Sequence, residues 1–240
     1  MRAVDPQLRI ARLERARLQQ EANRDLLRNL AHEIKNPLGG IRGAAQLLEH
    51  ELPRESLREY TQVIIKESDR LQSLMERLLT PHRMPRFGAV NIHEVLERVR
   101  SLILAETPSV KLRRDYDLSL PEIRADAEQL IQATLNVARN AVQAMHGQGE
   151  IVLKTRVARQ IMLESRRYRL GMRVEIIDNG PGIPDEIREQ IFYPLVSGRE
   201  GGSGLGLAVA QTLVAQNHGT IDCESQPGLT VFSIFLPLSD

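Results

Sequence analysis

The chain has 240 residues, 42% hydrophobic and 26% charged, enough to bury a core in one or two domains and far from the composition of a disordered protein. Thirty-two Lys and Arg against 31 Asp and Glu leave a net charge of +1, no excess with which to draw in nucleic acid or anionic lipid. The single Cys223 excludes an internal disulfide and a thiolate metal cluster; with no leader and no apolar run near about eighteen residues, the chain reads as cytoplasmic and not membrane-spanning.

Residues 7–51 set leucines and isoleucines, among them Leu13, Leu30, Ile34, Ile41 and Leu48, at helical spacing between charges, which predicts a long helix. Leu52-Pro53-Arg54 breaks it, because proline lacks the N–H a helix needs and pushes its predecessor out of the α region. A second helix follows, with Tyr60, Val63, Ile64, Leu71 and Leu78 on one stripe, until Thr80-Pro81 and Pro85 end it. Two helices cannot cover a stripe of this length, so two chains are expected to pair their hairpins into a four-helix bundle.

Residues 81–88 read as a linker, after which the pattern becomes mixed. Helices are predicted over 92–105 and 126–145, and strands over 110–117, 151–157, 172–177 and 229–236, with a polar, arginine-rich connection between 157 and 172. Helix and strand do not alternate regularly, which favours an α+β sandwich with helices on one sheet face over a doubly wound parallel sheet.

The chemistry opens at His32-Glu33-Ile34-Lys35-Asn36-Pro37. A zinc-protease helix would need a second histidine at position 36, where this chain has asparagine. On a helix His32 and Asn36 lie one turn apart with Glu33 beside the imidazole, a neutral nucleophile whose tautomer a carboxylate can fix, and this suits phosphoryl capture. The bland alternative is a solvated helix face.

The downstream pieces are more specific. Asn136 and Asn140 share one side of the 126–145 helix, where two amide carbonyls can face a hydrated Mg²⁺, although surface or capping amides have the same spacing. Asp178-Asn179-Gly180-Pro181-Gly182-Ile183 follows an apolar strand; a carboxylate at a strand end accepts from an exocyclic amine such as adenine's, and glycines let backbone approach a flat base. Gly202-Ser203-Gly204-Leu205-Gly206-Leu207 opens a helix whose N–H groups suit phosphates. Residues 192–201 between them have the length of a lid, so the set describes an ATP site.

The order His-Glu-x-x-Asn-Pro, asparagine helix, Asp-x-Gly-x-Gly, Phe-x-Pro, Gly-x-Gly-x-Gly resembles a two-component sensor histidine kinase over nearly all the chain from about residue 25. The segments from His32 to Leu38 and from Tyr193 to Gly202 look most like the nitrogen-regulation, NtrB-type kinases. The resemblance implies a signal-helix extension at 1–24, a dimerisation and phosphotransfer hairpin at 25–84, and at 89–240 the ATP-binding sandwich shared with gyrase and Hsp90-type ATPases. It implies His32 as the phosphorylated residue, Glu33 as its base, Asn36 as the residue placing water for dephosphorylation, Asn136 and Asn140 as Mg²⁺-facing, and Asp178 as the adenine contact. Around these, Gly180, Gly182, Ile183, Gly202, Ser203, Gly204, Leu205 and Gly206 would line the nucleotide. The implied partners are a second copy of the chain, an NtrC-type response regulator receiver domain and a PII signal protein.

Two departures stand out. Relatives often carry lysine three residues after the second asparagine, where this chain has Gln143, so Arg199 in the lid or Arg139 on the helix is expected to supply the cation. Relatives of the nitrogen type also carry a PAS-kind sensor, whereas a short arginine-rich helix precedes His32 here. Arg156, Arg159, Arg166, Arg167 and Arg169 read as a solvated hairpin face, and the remaining histidines and Cys223 are assigned no role. The rival readings are a motor ATPase of the gyrase and chaperone class, which would need no acceptor histidine, and a silent dimerisation adaptor, which would have lost motif residues.

Overall fold

The computed structural model describes residues 34, 36–49, 51–52, 55–79, 85–163, 166–198 and 204–238. His32, Glu33, Arg199, Gly202, Ser203 and the 1–24 extension lie outside the described residues. The chain divides into two units, one over Glu21–Arg83 and the other carrying Met84–Asp240.

In the first unit, helix α1 is described over 36–49 and continues through Pro37. Helix α2 spans Glu55–Leu79. Burial recurs every seven residues, at Leu38 and Ala45 on α1 and at Thr61 and Ser68 on α2, the spacing of a two-helix seam. The Arg42 to Asp69 ion pair at 2.7 Å and the Gln62 Nε2 to Glu49 Oε1 hydrogen bond at 3.1 Å show the helices running antiparallel. Ile41, Leu47, Leu48, Tyr60, Val63 and Leu71 remain exposed on this single chain. No described helix is long and apolar enough to cross a membrane.

The second unit is the expected α+β sandwich. Its elements are β1 (Gly88–Val90), α3 (Ile92–Glu106), β2 (Val110–Asp115), β3 (Ile123–Ala125), α4 (Ala127–Ala144), β4 (Gly149–Leu163), β5 (Arg166–Asp178), the short α5 (Asp185–Arg188), α6 (Gly206–Gln216), β6 (Thr220–Gln226) and β7 (Leu229–Pro237). Five strands form one sheet in the order β2-β4-β5-β7-β6, with β2 and β4 parallel and the other pairs antiparallel; β1 and β3 form a separate antiparallel pair. Ile151, Leu153 and Thr155 are buried while Val152, Lys154 and Arg156 between them are not, because α3, α4 and α6 seal one face of the sheet. Leu96, Ile103, Leu130, Ile176, Phe232 and Ile234 fill the space between the layers.

Helix α4 begins where its sequence requires. Asp126 Oδ1 caps it by accepting from Gln129 N at 3.1 Å, while Oδ2 accepts from Arg86 N at 2.7 Å. The helix leaves through left-handed His146 (φ 53°) and Gly147 (φ 76°), whose N–H bonds back to Val142 O at 2.9 Å.

Three expectations are corrected. The arginine-rich segment is a continuation of β4 and β5 into one long hairpin, paired as far as Leu163 opposite Arg166. Beyond Lys154, where β2 ends, and Gly171, where β7 ends, the hairpin loses its flanking strands, and Gln160 (φ 52°) drops out of the pairing before Ile161 and Leu163 are buried again, so the alternation is broken where the sequence would have announced it. The strand predicted over 110–117 stops at Asp115, and the Asp117 N–H bonds Thr155 Oγ1 at 2.9 Å instead. Gly88 opens β1 rather than closing a linker.

Candidate functional site

A cavity of about 690 Å³ opens in the second unit, within the roughly 300–1,000 Å³ range of small-molecule sites. Asn136, Arg139, Asn140 and Gln143 of α4 form one wall, and Asp178, Gly182 and Ile183 form the base. Gly204, Leu205 and Gly206 close another side with Val196 to Gly198.

Asp178 is the last residue of β5 and is 3% exposed. Its Oδ1 accepts from Gly180 N at 2.9 Å, and a Cβ at Gly180 would stand 2.7 Å from that same oxygen, so a side chain there would push the carboxylate out of place. Gly182 (φ 87°) has its Cα so close to the β6–β7 turn that a Cβ would lie 2.9 Å from the Gln226 carbonyl carbon. Gly228 N donates to Gly180 O at 2.9 Å and Ile183 N donates to Ser225 Oγ at 2.9 Å, fastening the loop along its length. Asn179 Oδ1 accepts from Glu150 N at 2.9 Å.

On the opposite wall, Asn136 Nδ2 donates to Gly206 O at 3.2 Å and its Oδ1 accepts from Gln132 Nε2 at 2.9 Å, tying α4 to the first residue of α6. Leu205 caps α6 without a side-chain hydrogen bond, which leaves the leading N–H groups to the cavity. Leu195 (φ 65°) donates its N–H to Gly204 O at 3.0 Å, and a Cβ on Gly204 (φ 64°) would stand 2.5 Å from the Leu195 carbonyl carbon.

Asn136, Arg139, Asn140, Asp178, Gly182, Ile183, Gly204, Leu205 and Gly206 therefore come together around one cavity, with Gly180 directly beneath Asp178. Asn36 lies exposed on α1, in the other unit. Arg139 borders the cavity, but its guanidinium is engaged by Glu106, with Nε to Oε2 at 3.0 Å and a second bond from Nη2 to Oε1.

Sequence reasoning missed two contributors. Thr230 lies across the ladder from Asp178, 4% exposed and on the cavity, and its Oγ1 meets Ser225 Oγ at 2.9 Å. His146 borders the cavity from the exit of α4, a position that no motif spacing marks. Among the other groups, Cys223 is no nucleophile, since burial pushes its thiol up to about 12.

These residues fit an adenine nucleotide. The buried carboxylate suits an exocyclic amine, the close backbone suits a flat ring, and the uncapped start of α6 suits phosphates. No group of three or more His, Cys, Asp or Glu forms a metal cage among the described residues, so a cation here would rest on amides and on the ligand's own oxygens.

Comparison with known proteins agrees. Residues 125–240 match the histidine kinase-, DNA gyrase B- and HSP90-like ATPase family, and residues 22–86 match the His Kinase A (phospho-acceptor) domain. The sensory histidine kinase/phosphatase NtrB of Vibrio alginolyticus is 51% identical over 99% of this chain and 69% of its own length, and that of Escherichia coli O157:H7 is 52% identical over the same shares. The NtrB of Rhodobacter capsulatus is 43% identical over 98% of this chain and 69% of its own. Among solved structures, full-length ShkA in complex with AMPPNP aligns with a TM-score of 0.64 and 27% identity, covering 90% of this chain and 46% of ShkA. The histidine kinase ThkA in complex with the response regulator TrrA has the same fold, with a TM-score of 0.58 at 22% identity over 99% of this chain and 68% of that one.

Proposed function

This chain belongs to the NtrB family of sensory histidine kinase/phosphatases, two-component enzymes of nitrogen regulation, and we propose that it transfers the γ-phosphoryl group of ATP held in the 690 Å³ cavity to His32. The observation that carries this assignment of residues is the buried Asp178 carboxylate, set at a strand end above Gly180 and facing a wall that carries Asn136 and Asn140.

Asp178 accepts from the adenine amine, and Gly180, Gly182 and Ile183 bring backbone against the ring. Gly202, Ser203, Gly204, Leu205 and Gly206 offer N–H groups to the phosphates, with Arg199 and Arg139 as cations. Asn136 and Asn140 would hold Mg²⁺, and the ion would supply charge to neutralise the phosphates. The His32 imidazole nitrogen forms the new bond to phosphorus as the bond to the ADP oxygen breaks, and Glu33 takes up the ring proton.

The phosphoryl group then passes to an aspartate on an NtrC-type receiver domain, with a PII protein as a further partner, in the cytoplasm. The exposed apolar residues of α1 and α2 support a homodimer, since a second hairpin would cover them. The domains run 25–84 for dimerisation and phosphotransfer and 89–240 for catalysis, after a 1–24 extension.

Asn36 supplies the second activity. Its amide orients water but has no proton to give or take near neutral pH, so it serves hydrolysis of the regulator's aspartyl phosphate rather than loading of His32. Asn36→Ala should keep labelling near normal while regulator dephosphorylation falls by about 10² or more. Equal decay of phosphorylated regulator with wild type and variant would remove Asn36 from this role.

A further inference from the structure

Arg139 is the only cationic side chain of α4, and it borders the cavity. Its guanidinium is already engaged. Two of its donors, at Nε and Nη2, meet both oxygens of Glu106, the last residue of α3, and Glu106 is not part of the cavity wall. The acid thus holds the guanidinium from outside the cavity lining.

Stability does not explain this acid. Glu106 occupies the C-terminal turn of α3, which has no basic residue, and a negative charge there opposes the helix dipole. Both partners are 43% exposed, and an exposed pair contributes little to folding. The hydrogen bonds from Arg139 hold the Glu106 carboxyl below its usual range, so it stays charged at neutral pH and remains a competitor for the cation. Phosphate oxygens and a carboxylate both use the bidentate fork of arginine, and the same two donors cannot serve both at once.

We propose that Glu106 is a positioning residue that competes with nucleotide phosphate for Arg139 and thereby weakens binding of phosphorylated nucleotides while leaving recognition of the base untouched. This deepens the nucleotide reading given above and rests on it. When the phosphate chain enters, the guanidinium exchanges one oxyanion for another, and the strength of the Glu106 pairing is subtracted from the nucleotide's affinity. The device tunes ATP and ADP together and separates both from adenosine.

The test is titration calorimetry on the full chain with Mg²⁺, using AMPPNP and adenosine as probes, for wild type, Glu106→Gln, Glu106→Asp, Arg139→Gln and the double variant Glu106→Gln/Arg139→Gln. Glu106→Gln should bind AMPPNP about two- to fivefold more tightly, the range set by an exposed ion pair. Its adenosine affinity should not move, and Glu106→Asp should stay near wild type. Arg139→Gln should weaken AMPPNP, and in that background Glu106→Gln should have no further effect. A purely structural pair would shift adenosine and AMPPNP alike, which would overturn the proposal. So would unchanged or weaker AMPPNP binding by Glu106→Gln, or tightening that persists without Arg139, since either shows that no competition for the guanidinium exists. Failure of both probes to bind the wild-type chain would overturn the nucleotide reading and this proposal with it.

Discussion

Asp178 and Thr230 stand directly opposite each other on β5 and β7, both nearly buried and both on the cavity. The pairing fixes the carboxylate twice. The sheet sets the position of its Cα, and the Gly180 N–H sets the direction of one oxygen at 2.9 Å. A ligand that meets this carboxylate finds it already oriented and loses little entropy in ordering it.

Asp178→Asn should lower nucleotide affinity at least tenfold while leaving the fold intact. A hydrogen bond to a charged group contributes roughly 1.5–3 kcal/mol, and the amide keeps one acceptor oxygen and the side-chain volume. Calorimetry with AMPPNP reads the loss. Unchanged affinity would take Asp178 out of the site.

His93 provides a pH-dependent handle on stability, away from the cavity. Its ring stacks on Tyr116 with centroids 4.9 Å apart, and Nε2 meets Thr155 Oγ1 at 3.1 Å. Burial lowers its pKa from 6.5, against an opposing pull from Asp117. The unfolded chain therefore binds more protons at this site than the native one, so stability rises with pH. The contribution is complete above about 6.5 and is lost as pH falls through the lower native value. Thermal melts from pH 7.5 to 5 should show a shallower decline for His93→Gln than for wild type; identical slopes would show that His93 does not titrate differently on folding.

How much of this was legible in the sequence depends on whether the signal was local. Helix α4 was readable end to end because Asp126 caps it and its apolar face repeats every three to four residues. The loop after Asp178 was readable because a strand end followed by closely spaced glycines has few uses. The β4–β5 hairpin was not, since Arg159, Arg166 and Arg167 pair through backbone while Gln160 (φ 52°) and Arg169 drop out of the register, which breaks the alternation before Ile161 and Leu163 are buried again. The Arg139 to Glu106 pair was hidden for another reason. Thirty-three residues separate the partners, and only the packing of α3 on α4 joins them. Thr230 escaped likewise, because its role comes from the register of β7 against β5 and not from its neighbours in the chain.

Phosphoryl transfer to His32 is tested most directly by incubation of the full chain with γ-labelled ATP followed by acid treatment of the labelled protein. It predicts label on the wild-type chain that is lost in acid, as a phosphoramidate is and a phosphoserine is not. It also predicts no label on His32→Gln, although that variant should still bind AMPPNP with normal affinity, because the acceptor and the nucleotide cavity belong to different units of the chain. Acid-stable label, or label that persists on His32→Gln, would contradict it.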